Sequence, residues 1–310
     1  MRYAKIGGQA VIEGVMMRHK DQYAVAVRKP DGTIEIKTDH YEGLVARYHM
    51  TGVPIIRGIL AFVDSLYLGM KTLTWSADFY EEDDKEEEQK EEAEQKASDK
   101  WLMGLTVAFS IVLAIGLFMI LPFLISDLFK NFITSSLALG IIEGIVRVLI
   151  FVGYIAAISR MKDIQRLFMY HGAEHKTINC IEHGEELTPA NALKYSRFHK
   201  RCGTSFLFIV LFVSILFFLL FFQIFPVDNM IFKVVCRILM VPLIAGVSYE
   251  IIQWAGRKDS GLSDIVSKPG FWMQKMTTKE PDEEMLEVAI ASIEAIYDWK
   301  AFQEEAGHEG

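Results

Sequence analysis

At 310 residues the chain has room for one large domain or two small ones, and 51% of it is hydrophobic. Its formal net charge is −8, but residues 81–100 alone carry eleven acidic residues and four lysines, so the remainder is nearly neutral. Neither a globally acidic partner surface nor nucleic-acid binding follows from such a balance. The three cysteines, Cys180, Cys202 and Cys236, are an odd count at unrelated positions, which argues against a disulfide framework.

Residues 1–50 read as a small β-rich unit. Gln22–Arg28 and Thr33–Lys37 are β-favouring runs joined by Lys29-Pro30-Asp31-Gly32, a turn sequence. The glycine-bearing stretch Ile6–Arg18 before them lacks the spacing of a phosphate-binding loop. Arg2 and Lys5 have no apolar core behind them, so no cleavable signal is expected. Residues 51–80 switch to a helical pattern, with Arg57, Asp64 and Lys71 forming one polar stripe on an otherwise apolar helix. The run 81–100 has Glu and Lys at helical offsets but no apolar face, and reads as an acidic linker, either a solvated helix or disordered.

Four apolar runs follow, Trp101–Ser126, Phe132–Ser159, Phe206–Phe225 and Ile231–Trp254. Each is long enough for about 30 Å of hydrocarbon. The expected fold is an α-helical polytopic membrane protein with four transmembrane helices, two in 101–159 and two in 206–254. The segment 160–205 between them carries eight basic residues, whereas Asp127–Asn131 has one lysine and Pro226–Met230 has none. That bias puts the 160–205 segment, both termini, the β-rich unit and a C-terminal helix in the cytoplasm of a cell-membrane protein. Inside the spans, Glu143 and Arg147 are four apart and suited to pair, while Glu250 needs a partner, either at a functional site or in Arg257 or Lys258 one to two turns on. Beyond Trp254, in 255–310, residues 258–280 read as loop. A helix is expected from near Pro281, with Leu286, Ala289, Ile293 and Ile296 as its stripe and Trp299/Lys300 at its end.

The densest chemistry lies in Tyr170-His171-Gly172-Ala173-Glu174-His175-Lys176. On a helix His171 and His175 share a face, with Glu174 beside them. Two imidazoles at that spacing can grip one metal ion, and the carboxylate can take a proton from water that the ion activates. H-x-x-E-H is the order of the inverted zinc peptidases. Glu250 is a candidate third ligand, and His199 or Cys202, in Phe198–Ser205, can replace it or orient a ligand. Gly172 inside the motif weakens the expectation of a regular helix, since glycine costs a helix about 1 kcal/mol relative to alanine.

With these residues laid out, the chain resembles the YqhQ family of bacterial membrane proteins, a family named for a domain of unknown function. The likeness rests on Gly7–Arg18, Tyr170–Lys176, His199–Phe206, Tyr249-Glu250 and the segment holding Gln274, Thr277-Thr278 and Pro281. What the resemblance implies is a predicted metal-dependent enzyme; it supplies no substrate or reaction.

The expectation is therefore a membrane-embedded metal-dependent enzyme, a hydrolase using zinc or another divalent metal. Glu174 is its general base, and its substrate is a lipid headgroup or a polypeptide near the membrane. The rival expectation is a non-enzymatic regulator or assembly factor docked on a larger membrane protein complex, such as a translocon or transporter.

Overall fold

Four strands open the chain and pair in sequence order as an antiparallel sheet: β1 (Ile6–Val11), β2 (Gly14–His19), β3 (Gln22–Arg28) and β4 (Ile34–His40). The computed structural model describes residues 3–81, 92–227, 229–257 and 261–307. The β1–β2 and β2–β3 turns are two residues long, and Glu13 and Lys20 take positive φ in them (47° and 56°). Lys20 is the first central residue of its turn, the position where a primed-type turn needs positive φ, and such a turn matches the twist of the strands it joins. Strands β1 and β2 were not expected, because Ile6–Arg18 is glycine-bearing and lacks a clean apolar alternation.

Helices α1 (Leu44–Arg47) and α2 (Ile56–Glu81) follow. Of the acidic run 81–100, residues 82–91 lie outside the described residues. From Glu92 the chain is helical again as α3 (Glu92–Ile115), then a π turn at Gly116–Ile120, then α4 (Leu121–Asp127). Pro122 has no N–H to give the preceding turn, which accounts for the wider winding there. The remaining helices are α5 (Ser136–Ile158), α6 (Lys162–Glu182), α7 (Pro189–Ala192), α8 (Gly203–Ile224), α9 (Met230–Arg257), α10 (Gly261–Thr277), α11 (Glu283–Glu294) and α12 (Trp299–Gly307). Four helical stretches are long and apolar enough to cross a membrane: Gly104–Asp127, Ser136–Ile158, Gly203–Ile224 and Met230–Ala255.

Residues 1–81, 158–209 and 245–310 form one compact unit, and 82–157 with 210–244 form a second. In the first, the sheet is the middle layer of three. Val11, Met16, Val25 and Val27 pack with Leu68 of α2 on one face. Ile6, Val15, Met17 and Ala26 pack with α6 and α11 on the other. In the second unit, Glu143 accepts from Arg147 and from Arg237, each at 2.7 Å, and the Arg237 guanidinium stacks on Phe123 and Phe222. The expected Glu143–Arg147 pair is thus part of a triad.

Two expectations for the C-terminal segment are corrected. Residues 261–277 are a helix rather than loop. Ser267, Gly270, Met273, Gln274 and Thr277 are buried at helical spacing, but most are small or polar, so hydropathy hides the period. The C-terminal helix stops at Glu294 and a separate helix begins at Trp299, where Asp298 accepts from the Ala301 N–H at 3.0 Å. At its start, Asp282 caps α11 by accepting from the Met285 N–H at 2.9 Å.

Candidate metal centre

Helix α6 carries the centre. Its first turn holds Asp163, favourable at a helix N-terminus, and its second half, from Gly172 to Glu182, is buried throughout. The helix runs through Gly172 without a break, and the glycine has a specific use. A Cβ there would lie 2.0 Å from the Lys279 carbonyl oxygen. Only glycine lets the 277–281 backbone lie so close on α6, where the Lys279 N–H donates to the Phe168 carbonyl at 2.8 Å.

That close approach sets one imidazole. His171 Nδ1 donates to the Thr277 carbonyl at 2.8 Å, and its Nε2 stands 3.1 Å from Cys202 Sγ. His175 Nδ1 donates to the Arg197 carbonyl at 2.6 Å, and its ring also acts on the Cys202 sulfur. The rings of His171 and His175 are 4.4 Å apart between centroids. One ligand atom each from His171, His175 and Cys202 lie within 4.8 Å of one another. A tetrahedron with zinc–ligand lengths has edges of roughly 3.3–3.8 Å, so small side-chain rotations would close these groups on one ion. A carbonyl holding Nδ1 and presenting Nε2 is the usual way a protein orients a ligating histidine.

Cys202 sits just before the first residue of α8, and the Thr204 N–H points at its Sγ from 3.4 Å. Burial would push the thiol up, but His171 and His175 hold it well below its ordinary value. Burial pulls His171 down, but the Cys202 sulfur outweighs it and raises the imidazole to about 9.

Glu174 is buried beside them in a cleft of about 430 Å³ that His171, His199 and Cys202 also line. Among the described residues no donor hydrogen-bonds its carboxylate. Burial raises its pKa despite the nearby imidazoles, which makes the carboxylate a stronger proton acceptor.

These features fall within residues 53–299, which match the family model described as a protein of unknown function (DUF1385). The chain belongs to the DUF1385 family. It is 33% identical over 308 residues to the uncharacterized protein YqhQ of Bacillus subtilis (strain 168), covering 96% of this chain and 94% of that relative. No solved structure matches the chain.

In this DUF1385 chain, the residues suggested by sequence separate into three groups. His171, His175 and Cys202 converge, with Glu174 alongside. His199 stands behind them, its ring 5.6 Å from that of His175 and its Nε2 3.7 Å from Glu182. Burial and the neighbouring cations keep His199 below its ordinary value; Glu182, despite burial, is lowered by His199 and Arg201. Glu250 is elsewhere. Arg57 of α2 grips both its oxygens, Nε at 2.7 Å from Oε1 and Nη2 on Oε2, and the Ile55 N–H adds a contact at 3.3 Å. Glu250 is not among the groups that converge with His171, His175 and Cys202.

Three positioning groups had no role assigned from sequence. Gln274 of α10 accepts from the His199 N–H and donates to the His199 carbonyl, both at 2.8 Å, and donates to Ser205 Oγ at 3.0 Å. It fixes the segment that delivers Cys202. The carbonyls of Thr277 and Arg197 orient the two imidazoles, and a backbone carbonyl leaves no residue-type signal to read.

Proposed function

We propose that this protein is a membrane-embedded, metal-dependent hydrolase whose centre lies at the cytoplasmic boundary of the bilayer. The observation that carries the reading is the convergence of His171, His175 and Cys202, with Glu174 against the same cleft. Two imidazoles and one thiolate suit zinc and leave a fourth position open, the arrangement of a catalytic rather than a structural site. A divalent ion held there supplies Lewis acidity and lowers the pKa of water.

The chain's own groups do the rest. Thr277 and Arg197 hold the imidazoles in the ligating tautomer. Glu174 takes the proton of the attacking water and returns it to the leaving group. Cys202 directly precedes the third membrane-length helix, which supports a site at a bilayer boundary. The eight basic residues of 160–205 support the cytoplasmic side, with both termini there. The full-length protein purified in mild detergent without chelators is expected to hold one zinc-class ion per chain. His171→Ala, His175→Ala and Cys202→Ser are each expected to lose it with the thermal transition retained. A well-folded wild type that stays metal-free after zinc is added would sink the proposal.

The 3.1 Å contact between His171 and Cys202 favours a second reading, a metal-free cysteine nucleophile activated by the imidazolium. Alkylation separates the two. If zinc shields Cys202 from iodoacetamide the metal reading holds, and if Cys202 reacts equally fast with and without zinc the nucleophile reading replaces it.

A further inference from the structure

The cleft beside Glu174 opens along the outer edge of β1. The Arg28 N–H donates to the Glu13 carbonyl at 2.9 Å, so odd-numbered β2 residues bond to β3 and even-numbered ones to β1. In the register Gly7↔Arg18, Gln9↔Met16 and Val11↔Gly14, the odd residues of β1 then face β2. Ile6, Gly8 and Ala10 turn their N–H and C=O groups away from the sheet. At either end of that outward row the molecule caps the backbone itself. Glu182 accepts from the Ala4 N–H at 2.8 Å, and Ser76 Oγ accepts from the Ile12 N–H at 3.1 Å. Between those caps, no partner among the described residues takes the outward groups of Ile6, Gly8 and Ala10.

The space beside this edge has the form of a missing strand. Ser65 and Leu68 of α2 wall it on one side, His171 and Glu174 of α6 on the other, and Cys202 and Thr204 line it as well. These are the helices that cover the two faces of the sheet. Gly8 is in closest touch with the chemistry, since a Cβ there would meet the Glu174 carboxylate at 2.6–2.7 Å. A chain laid about 4.8 Å from β1 continues the sheet into the cleft.

We infer that the ligand of this cleft is an extended polypeptide segment, added as a fifth strand to the Ile6–Ala10 edge so that one of its peptide bonds lies against Glu174, His171 and Cys202. This rests on the hydrolase reading and assigns it a substrate class, a peptide rather than a lipid headgroup. Main-chain pairing supplies affinity that is tolerant of sequence, and the flanking walls read alternate side chains. In the reaction one water is consumed. Its oxygen bonds to the carbonyl carbon and the C–N bond breaks, while the proton Glu174 removes from water passes to the departing nitrogen.

The test uses full-length Glu174→Gln protein in detergent, loaded with zinc, and a peptic digest of reduced casein as the probe. Residue-resolved amide hydrogen exchange is expected to slow about tenfold or more at Ile6, Gly8 and Ala10. Gly7 and Gln9, already in the ladder, should change little. Ala10→Pro should abolish the slowing at Gly8 with zinc still bound. If that variant fails to fold, N-methylating alternate amides of the best-bound peptide should do the same on the unaltered edge. Normal zinc binding with no protection along β1 overturns the peptide assignment and leaves the metal reading standing. Protection by short-chain phosphatidylglycerol but not by the digest also overturns it, in favour of a lipid. Protection by peptides in a protein that takes no zinc upholds the strand-addition site and removes the metal.

Discussion

Gly172 and His171 are consecutive, and they tie backbone packing to ligand geometry. Any side chain at 172 pushes the Lys279 carbonyl off α6, and the Thr277 carbonyl that holds His171 moves with it. Gly172→Ala is expected to destabilise the protein by about 1–3 kcal/mol, the usual range for overpacking. It should also weaken zinc binding, measurable by competition with a chelator; unchanged affinity would show that the 277–281 segment does not set the imidazole. The proton on His171 gives a second expectation. Its pKa is raised to about 9, so below that pH the ion must displace a proton. Zinc affinity should rise about tenfold per pH unit from 7 toward 9 and flatten above, because one proton leaves per ion bound. Calorimetry in buffers of different ionisation enthalpy measures that proton count.

At the scale of elements, the centre depends on α6, the 197–205 segment and α10 being held together, while α2 meets α9 elsewhere. Glu250 illustrates why the first could be anticipated and the second could not. His171, Glu174 and His175 lie within one helical turn, so their shared face follows from spacing alone. Cys202 was one of several nearby alternatives, and geometry selects it. From sequence Glu250 is a candidate for the centre because it is acidic and deep in an apolar helix, with Arg257 or Lys258 as the alternative partners. Its partner, Arg57, lies 193 residues earlier, a pairing that no local pattern can reveal. Glu250→Gln should keep zinc at wild-type stoichiometry and lower the thermal transition only slightly, since both side chains are about a quarter exposed. Loss of metal in that variant would return Glu250 to the ligand set. The hairpin β1–β2 and the helix α10 escaped the sequence for a related reason. Helix α10 buries mostly small and polar residues, and β2 buries Val15, Met16 and Met17 in succession on both of its faces, so no apolar period stands out in either.

Taken whole, the molecule divides its charges between two tasks. Outside the membrane-length helices, titratable groups gather around the cleft. Inside them, Glu143 joins Arg147 and Arg237, both nearly fully buried. Hydropathy located all four apolar helices to within a few residues at each end, because a run of that length and composition has few other uses. Glu143→Leu would leave two guanidinium groups without this carboxylate. The expected loss is about 3–5 kcal/mol of stability in a thermal melt in detergent. Zinc content below the melting transition should stay unchanged, because the triad and the metal centre belong to different units.

The central claim is that His171, His175 and Cys202 bind one ion together. X-ray absorption at the zinc edge of the detergent-purified protein tests it most directly. The expected spectrum has one sulfur at about 2.3 Å and nitrogen or oxygen neighbours at about 2.0–2.1 Å, with the sulfur shell lost in Cys202→Ser. A zinc shell without sulfur in the wild type, or no zinc bound at all, would contradict it.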